Sequence, residues 1–414
     1  MISRDERQQI CVNKWLANRG VGTLIQPTGC GKTTTALKCI QKVLSLYSQF
    51  KVLVVVPTTN LKEQWEDRAS KFGISNITVL VINTVANREI ETDLLVIDEI
   101  HTSAATQFSN IFKVVRYKLI LGLTATLHRL DGKHKIIEKY CPVVDEITLI
   151  EASTNNWLSE YTEYLVLLDV DNIHDYNKAN SSFFKAFEFF GFDFNLVMSF
   201  LGKDGFENRK AYTTKMCKDK TRWNEYLQAV TTNTMAFKTA MTSRKNFINN
   251  HSKKIEIAKL IIENRPFSKI ITFSNNIKMA EAIGGPVYSG KDTKKKGRMT
   301  LEEFEQCESG VINSSKKLIA GADIAGVNCE IVLGQDSSSI RATQLRGRAI
   351  RKEGNKHSEI FNIVINDTQE VSWFSNSHKD TNFVVIDEEN LLKVLRGEEY
   401  EPYKKPLSKF NYRF

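Results

Sequence analysis

The segment Gln26-Pro-Thr-Gly-Cys-Gly-Lys-Thr33 carries the strongest chemical signal in the sequence. It follows a short apolar run and precedes an amphipathic stretch, which places it on a strand-to-helix turn. Glycines at 29 and 31 let backbone N–H groups turn toward a phosphate, and the helix N-terminus adds the positive end of its dipole. In such a loop Thr28, Gly29, Cys30, Gly31, Lys32, Thr33 and Thr34 would wrap the phosphates of ATP. Lys32 would neutralise the β- and γ-phosphates, and the Thr33 hydroxyl would bind Mg2+. Gln26 departs from the general pattern, which has its first glycine there.

A second acidic element must hold the metal from across the sheet, and Leu94-Leu-Val-Ile-Asp-Glu-Ile-His101 supplies it. Asp98 ends an apolar strand, so its carboxylate emerges at the sheet's C-terminal edge beside the glycine loop. There it can hold Mg2+ through water, while Glu99 orients and polarises an attacking water. His101, in register after Asp-Glu, could couple nucleotide state to the next motif. Far downstream, Gln344-Leu-Arg-Gly-Arg-Ala-Ile-Arg351 spaces Arg348 and Arg351 three apart, hence on one helix face. Alone, such a pair would read as a solvated face.

Asp98-Glu99-Ile100-His101 resembles the DExH box of superfamily 2 helicases, and the other motifs follow in that family's order. Thr124-Ala125-Thr126 resembles the motif that couples hydrolysis to strand movement. Val56-Pro-Thr-Thr-Asn-Leu61 resembles the first nucleic-acid motif, with Pro57 and Thr58 as contacts, and Asn83-Thr84 the next. Gln8 resembles the glutamine that reads adenine. Ile271-Thr-Phe-Ser274 resembles motif IV, and Ser315 to Asp323 motif V, where Ser315 would meet the phosphate backbone and Asp323 the ribose or the partner domain. Gln344, Arg348 and Arg351 resemble motif VI, whose arginines would reach across an interdomain cleft to the γ-phosphate. The Thr124–Gly132 segment and Gln344–Arg348 look nearest to the DNA-directed branch that includes XPB, type I restriction motors and the phage helicase UvsW. Ala320 and Leu127 depart from that pattern, standing where an acidic residue and a proline are usual.

These side chains need a scaffold. Short β-branched runs at Gly22–Ile25, Val52–Val56, Ile77–Ile82, Leu94–Ile97 and Lys118–Leu121 alternate with amphipathic segments such as Thr33–Leu46 and Asn60–Phe72. That pattern predicts a parallel α/β sheet covered on both faces over 1–150. Residues 256–378 repeat it, with strands expected at Lys269–Phe273, Gly285–Tyr288, Val311–Asn313, Glu330–Leu333 and Ile360–Ile365. The family resemblance makes these two RecA-like domains. Residues 151–255 between them read as a mostly helical insert crowded with phenylalanine, from Phe183 to Phe200. Aromatic stripes usually pack inward, so a small helical core is expected there before a strand-separating wedge or a platform for bases. Residues 379–414 read as an irregular tail.

Composition narrows the setting. The 414 residues carry a net charge of +9, which suits a phosphate backbone but does not choose it over an ordinary basic surface. Basic clusters at Lys294–Lys296 and Lys316–Lys317 could add to it. The seven cysteines show no C-x-x-C spacing, which predicts reduced structural thiols in a cytosolic protein. The charged N-terminus is no secretory signal, and no run of about 18 apolar residues exists to span a membrane.

The expectation is therefore an ATP- and Mg2+-dependent motor acting on single-stranded, forked or branched DNA, with no membrane partner. It would work as a compact cytoplasmic monomer without a large preceding domain, in the host cytoplasm if phage-encoded, in repair or recombination. A duplex translocase that never separates strands, an RNA helicase, and a binding protein that uses ATP only as a switch stay open as alternatives. Intact Glu99, Gln344, Arg348 and Arg351 argue against the last.

Overall fold

Val52–Val56 is buried along its whole length, as a strand covered on both faces must be. It is β2 of a six-stranded parallel sheet, seen in a computed structural model that describes residues 1–104, 108–127, 132–289, 292, 294–315, 324–352, 354, 356–379 and 381–403. With β1 (Val21–Ile25), β3 (Ile77–Val81), β5 (Leu94–Asp98), β7 (Leu119–Thr124) and β8 (Val143–Glu146) the order is β3-β2-β5-β7-β1-β8. A two-stranded ribbon, β4 (Ile90–Glu91) with β6 (Val115–Arg116), lies outside it. Parallel pairing aligns every C-terminal strand end on one edge. The loop after β1, the Thr-Ala-Thr after β7 and the Asp-Glu after β5 therefore stand side by side.

The second sheet is also wholly parallel: β11 (Val287–Ser289), β12 (Gly310–Ser315), β10 (Lys269–Ser274), β13 (Cys329–Val332), β14 (His357–Ile365), β9 (Glu160–Leu168) and β15 (Val384–Ile386), in that order. Two α/β units of RecA-like form are thus present, as the strand pattern predicts. Two assignments need correction. The stretch read as a helical insert contains β9, which pairs with β14 over nine residues and carries the second sheet toward its far edge. The stretch read as an irregular tail contains β15, paired with β9, and the helix Glu388–Arg396, whose Leu391, Val394 and Leu395 close that end of the core.

The insertion proper runs from the helix Ile173–Glu188 through Phe194–Leu201 and Gly205–Met216 to the long helix Trp223–Asn250. Phe183, Phe187, Phe190, Phe200 and Phe237 pack into its own core. Phe192, Phe194 and Phe206 stay exposed at its rim. Lys404, Lys405 and Pro406 fall outside the described residues, as do Lys316 and Lys317. No helix among the described residues is long and apolar enough to cross a membrane.

Candidate nucleotide-binding and hydrolysis site

The loop after β1 turns through two left-handed glycines, Gly29 (φ 93°) and Gly31 (φ 86°), into the helix Lys32–Leu46. A side chain at Gly31 would be strained there and would also run into Gln8, whose Nε2 lies 2.6 Å from the Cβ position. Gln26 explains its own departure from the glycine pattern. It is fully buried, its amide donating to Cys11 Sγ (3.3 Å) and its carbonyl accepting from Thr35 Oγ1 (3.1 Å). That side chain pins the loop's base and faces away from any phosphate.

The loop borders a cavity of about 560 Å³ between the two units. Thr28, Gly29, Gly31, Lys32, Thr33 and Thr34 line it from one side, Asp98, Glu99 and His101 from the strand edge, and Gln344, Arg348 and Arg351 from the second unit. The fold therefore gathers the catalytic set read from sequence around one cleft. Cys30 is buried, and burial pushes its thiol up to about 11; what it offers is its carbonyl, which accepts from Gln8 Nε2 at 3.1 Å. Gln8 is thus turned onto the loop and is not part of the cavity wall. Arg4, which sequence reasoning missed, lines the cavity instead. So do Leu61, Gln64 and Arg68 of the helix Thr59–Lys71. Their spacing of three and four was a usable signal of a shared face.

Lys32 Nζ stands 3.6 Å from Glu99 Oε1. Glu99 itself sits in the left-handed region at φ 50°, a strained setting for a non-glycine residue and a frequent mark of function. Burial opposes its charge, but Lys32 and His101 win and hold it down at about 2. Asp98 goes the other way: burial, with Glu99 alongside, pushes it up to about 6 against the 2.8 Å hydrogen bond from Trp65 Nε1. The two neighbouring carboxylates titrate as a pair, and Lys32 with His101 favours the charge on Glu99. His101 Nδ1 lies 3.3 Å from Glu99 Oε2 and 3.0 Å from Thr124 Oγ1. Thr124 in turn donates to Thr126 O (2.7 Å) across a nearly buried Ala125. One imidazole thereby joins the strand-edge glutamate to the Thr-Ala-Thr segment.

The donors at this corner are a threonine hydroxyl and two carboxylates, the oxygen set that Mg2+ prefers and shares with phosphate and water.

From the second unit, the helix Ser339–Ala349 runs to the glycine loop. Gly347 lies against Thr28, where a Cβ would come within 2.2 Å of the Thr28 Cβ. Burial works against the Arg348 charge, while Glu330 beneath it and Glu99 across the cleft support it. The expectation that Arg348 and Arg351 share a helix face is corrected: the helix ends at Ala349 with Ile350 as its cap, and Arg351 lies beyond it. Arg351 instead bridges to Leu158 in antiparallel fashion. Another cation of that motif, Arg346, points inward to Glu163 (Nε to Oε2, 2.8 Å).

The residues read as nucleic-acid contacts stand at or just after C-terminal strand ends. Thr58 follows β2 and caps the next helix, accepting from Leu61 N at 3.3 Å. Thr84 sits half-buried in the turn Ile82–Val85 after β3. Pro57 lines the nucleotide cavity. Ser274 is fully buried and donates to Asn276 O at 2.8 Å, so its hydroxyl is spent inside the fold. Ser315 ends β12, nearly buried. Asp323, Ala320 and the rest of motif V after Ser315 lie outside the described residues, as do His128 to Asp131.

Comparison with known proteins agrees with this geometry. Residues 2–92 and 75–129 match the family model described as type III restriction enzyme, res subunit. The chain is 25% identical over 400 residues to "DNA 3'-5' translocase XPB2" of Sulfurisphaera tokodaii, covering 89% of this chain and 82% of that one. It is 24% identical over 378 residues to a protein of Acanthamoeba polyphaga mimivirus whose name assigns it, provisionally, to the ATP-dependent RNA helicases, covering 85% of this chain and 61% of that one. In fold it resembles the Pyrococcus furiosus Hef helicase domain (TM-score 0.52, 16% identity, 90% of this chain and 97% of that one). It also resembles Saccharomyces cerevisiae Dbp5 (TM-score 0.58, 11% identity, 94% and 91%). The motif order, the two RecA-like sheets and these similarities are those of ATP-hydrolysing helicases of superfamily 2.

Proposed function

We propose that the protein is a DNA motor that couples ATP hydrolysis to unwinding or branch migration of forked or branched DNA. The observation that carries this reading is the seating of the second unit's arginine segment on the first unit's glycine loop, Gly347 on Thr28 and Arg351 near Gly29. Nucleotide in that cleft ties the two sheets together, and its loss frees them to move. Thr58 and Thr84 on one sheet and Ser315 on the other ride on those units, so opening and closing changes the distance between two grips on a strand. Phosphate contacts of this kind position a strand without reading its sequence. The likeness to a named DNA translocase supports DNA as the track.

Within the cleft, Lys32 binds the β- and γ-phosphates and Glu99 orients the attacking water. Gln344, Arg348 and Arg351 complete the site when the cleft closes. Thr33 and Asp98 would hold Mg2+, which when bound neutralises phosphate charge. His101 passes the state of Glu99 to Thr124. The protein would act as a monomer in the cytoplasm.

A second reading, duplex translocation without strand separation, draws on the insertion. Its phenylalanines form their own core, which leaves a smaller aromatic rim to act as a wedge. Strand displacement on forked DNA, run beside displacement of a third strand from a triplex, tests both. Fork unwinding supports the helicase; triplex displacement alone supports the translocase; activity only on matched RNA forks would overturn the DNA assignment.

A further inference from the structure

Arg351 lies past the last helical residue, Ala349, so intrahelical hydrogen bonds do not fix its direction. Its backbone is instead paired to the segment Asn156–Ser159, which leads from the first unit into β9. Ser159 N donates to Ile350 O at 2.9 Å, and Ser159 Oγ donates to Arg351 O at 2.7 Å. Leu158 makes an antiparallel bridge with Arg351, and Lys352 Nζ donates to Asn156 Oδ1 at 2.8 Å. Three successive residues of the arginine segment are thereby paired to one short stretch of connector.

The connector also touches the glycine loop. Leu158 Cδ2 lies 3.1 Å from the Cβ position of Gly29, and the Arg351 Cα lies 3.7 Å from the same point. Leu158 is 2% exposed and sits with Cys30, Trp157, Ala349 and Ile350 in the first unit's core. At its other end the connector holds the N-terminal helix Arg4–Ala17. Trp157 Nε1 donates to Ile2 O at 3.1 Å, Arg4 Nη2 donates to Trp157 O at 2.6 Å, and Ile2 N donates to Asn155 Oδ1 at 3.0 Å. Arg4 lines the nucleotide cavity.

We propose that Asn156–Ser159 is a positioning element of the nucleotide site, holding Arg351 over the glycine loop and tying it to the N-terminal helix, whose Arg4 also lines the cavity. Ser159 is not among the residues that line the nucleotide cavity; it acts through the Arg351 backbone. The proposal rests on the reading of Arg351 as the residue that reaches the γ-phosphate, and Arg351→Ala tests that reading alone.

The test is single-turnover ATP hydrolysis, with binding of a fluorescent ATP analogue and a thermal melt, for Ser159→Ala in the parent and in an Arg351→Lys background. A small displacement of a catalytic group costs up to about 100-fold in rate, so Ser159→Ala in the parent is expected to lose about tenfold with nucleotide affinity within about twofold. In the Arg351→Lys background the same change should cost less than about twofold, because coupled residues are not additive. Asn156→Gly keeps the left-handed backbone at φ 57° and removes only the Lys352 partner; a loss of about two- to fourfold is expected. Parental rates in both single variants would overturn the proposal, and so would an equal loss in both Arg351 backgrounds, which would make the connector a general support of the fold. A normal rate in Arg351→Ala would remove the finger itself. A dead Arg351→Ala beside a normal Ser159→Ala would remove only the connector's role.

Discussion

Gly347 and Thr28 belong to different units, yet a Cβ on Gly347 would come within 2.2 Å of the Thr28 Cβ. Nothing larger than hydrogen fits between the arginine helix and the glycine loop in this closed arrangement. Gly347→Ala must hold the units apart by an ångström or more. A shift of that size misplaces Arg348 and Arg351, so the ATPase rate should fall by about 10- to 100-fold with the melting temperature nearly unchanged. A parental rate would show that the working enzyme does not close as seen here.

Lys32 and Arg351 should fail differently. Lys32→Ala removes the charge that meets the phosphates and should abolish both tight ATP binding and hydrolysis. Arg351→Ala should leave binding largely intact and slow hydrolysis by about 1,000-fold or more, the scale of an arginine finger. Equilibrium binding of a fluorescent ATP analogue beside steady-state hydrolysis separates the two. Weak binding in Arg351→Ala would place that arginine in ground-state recognition instead.

His101 lies between Glu99 and Thr124, at 3.3 and 3.0 Å. Its replacement by alanine leaves Lys32, Asp98 and Glu99 in place but cuts the link to the Thr-Ala-Thr segment. Basal hydrolysis should persist within about fivefold while stimulation by nucleic acid is lost, a separation of chemistry from the coupled movement. The stimulated-to-basal ratio reads this directly, and an unchanged ratio would remove His101 from coupling.

The buried Glu163 is a stability element. It accepts from Arg346 Nε (2.8 Å) and Nη2 (3.2 Å) and from Asn362 Nδ2 (3.1 Å), and His378 Nε2 lies 3.2 Å away. Burial opposes its charge, but Arg346 and His378 hold it at about 2, below the ordinary 4.5. A lowered carboxylate stabilises the fold above its unfolded value and loses that contribution as pH falls toward the folded one. Glu163→Gln strands Arg346 and should cost about 3–5 kcal/mol in urea unfolding at neutral pH. The gap between parent and variant should be flat above about pH 5 and narrow below it. A gap that widens on acidification would contradict the assignment.

The same residue shows where the sequence stops being legible. Val52–Val56 and Leu94–Asp98 announce themselves because both faces are buried and every position must be apolar. β9 hides because Glu160 and Glu163 break its pattern; Glu163 is tolerable through partners far away in sequence, first among them Arg346, 183 positions on. β15 is three residues long, too short to carry a period, and its partner is β9 itself. The glycine loop, Asp98 and Glu99 could be read from local spacing, because strand ends and loops fix them locally, whereas the arginines needed the order of the other motifs. The place of Arg351 could not, since a hydrogen bond from distant Ser159 holds it beyond the helix end. Ser274 misled for a related reason: its motif is local, but its hydroxyl is turned inward by the β10–helix junction.

A cleft that drives a motor on DNA must hydrolyse ATP in response to its track. The most direct measurement is steady-state ATP hydrolysis by the full chain at fixed salt, alone and with single-stranded DNA, duplex, forked DNA, a four-way junction and matched RNA, beside Lys32→Ala as a blank. Stimulation of about tenfold or more by forked or branched DNA, absent from the Lys32→Ala blank, is the predicted result. Hydrolysis that no nucleic acid changes, or full turnover in Lys32→Ala, would rule out a DNA motor powered from this cleft.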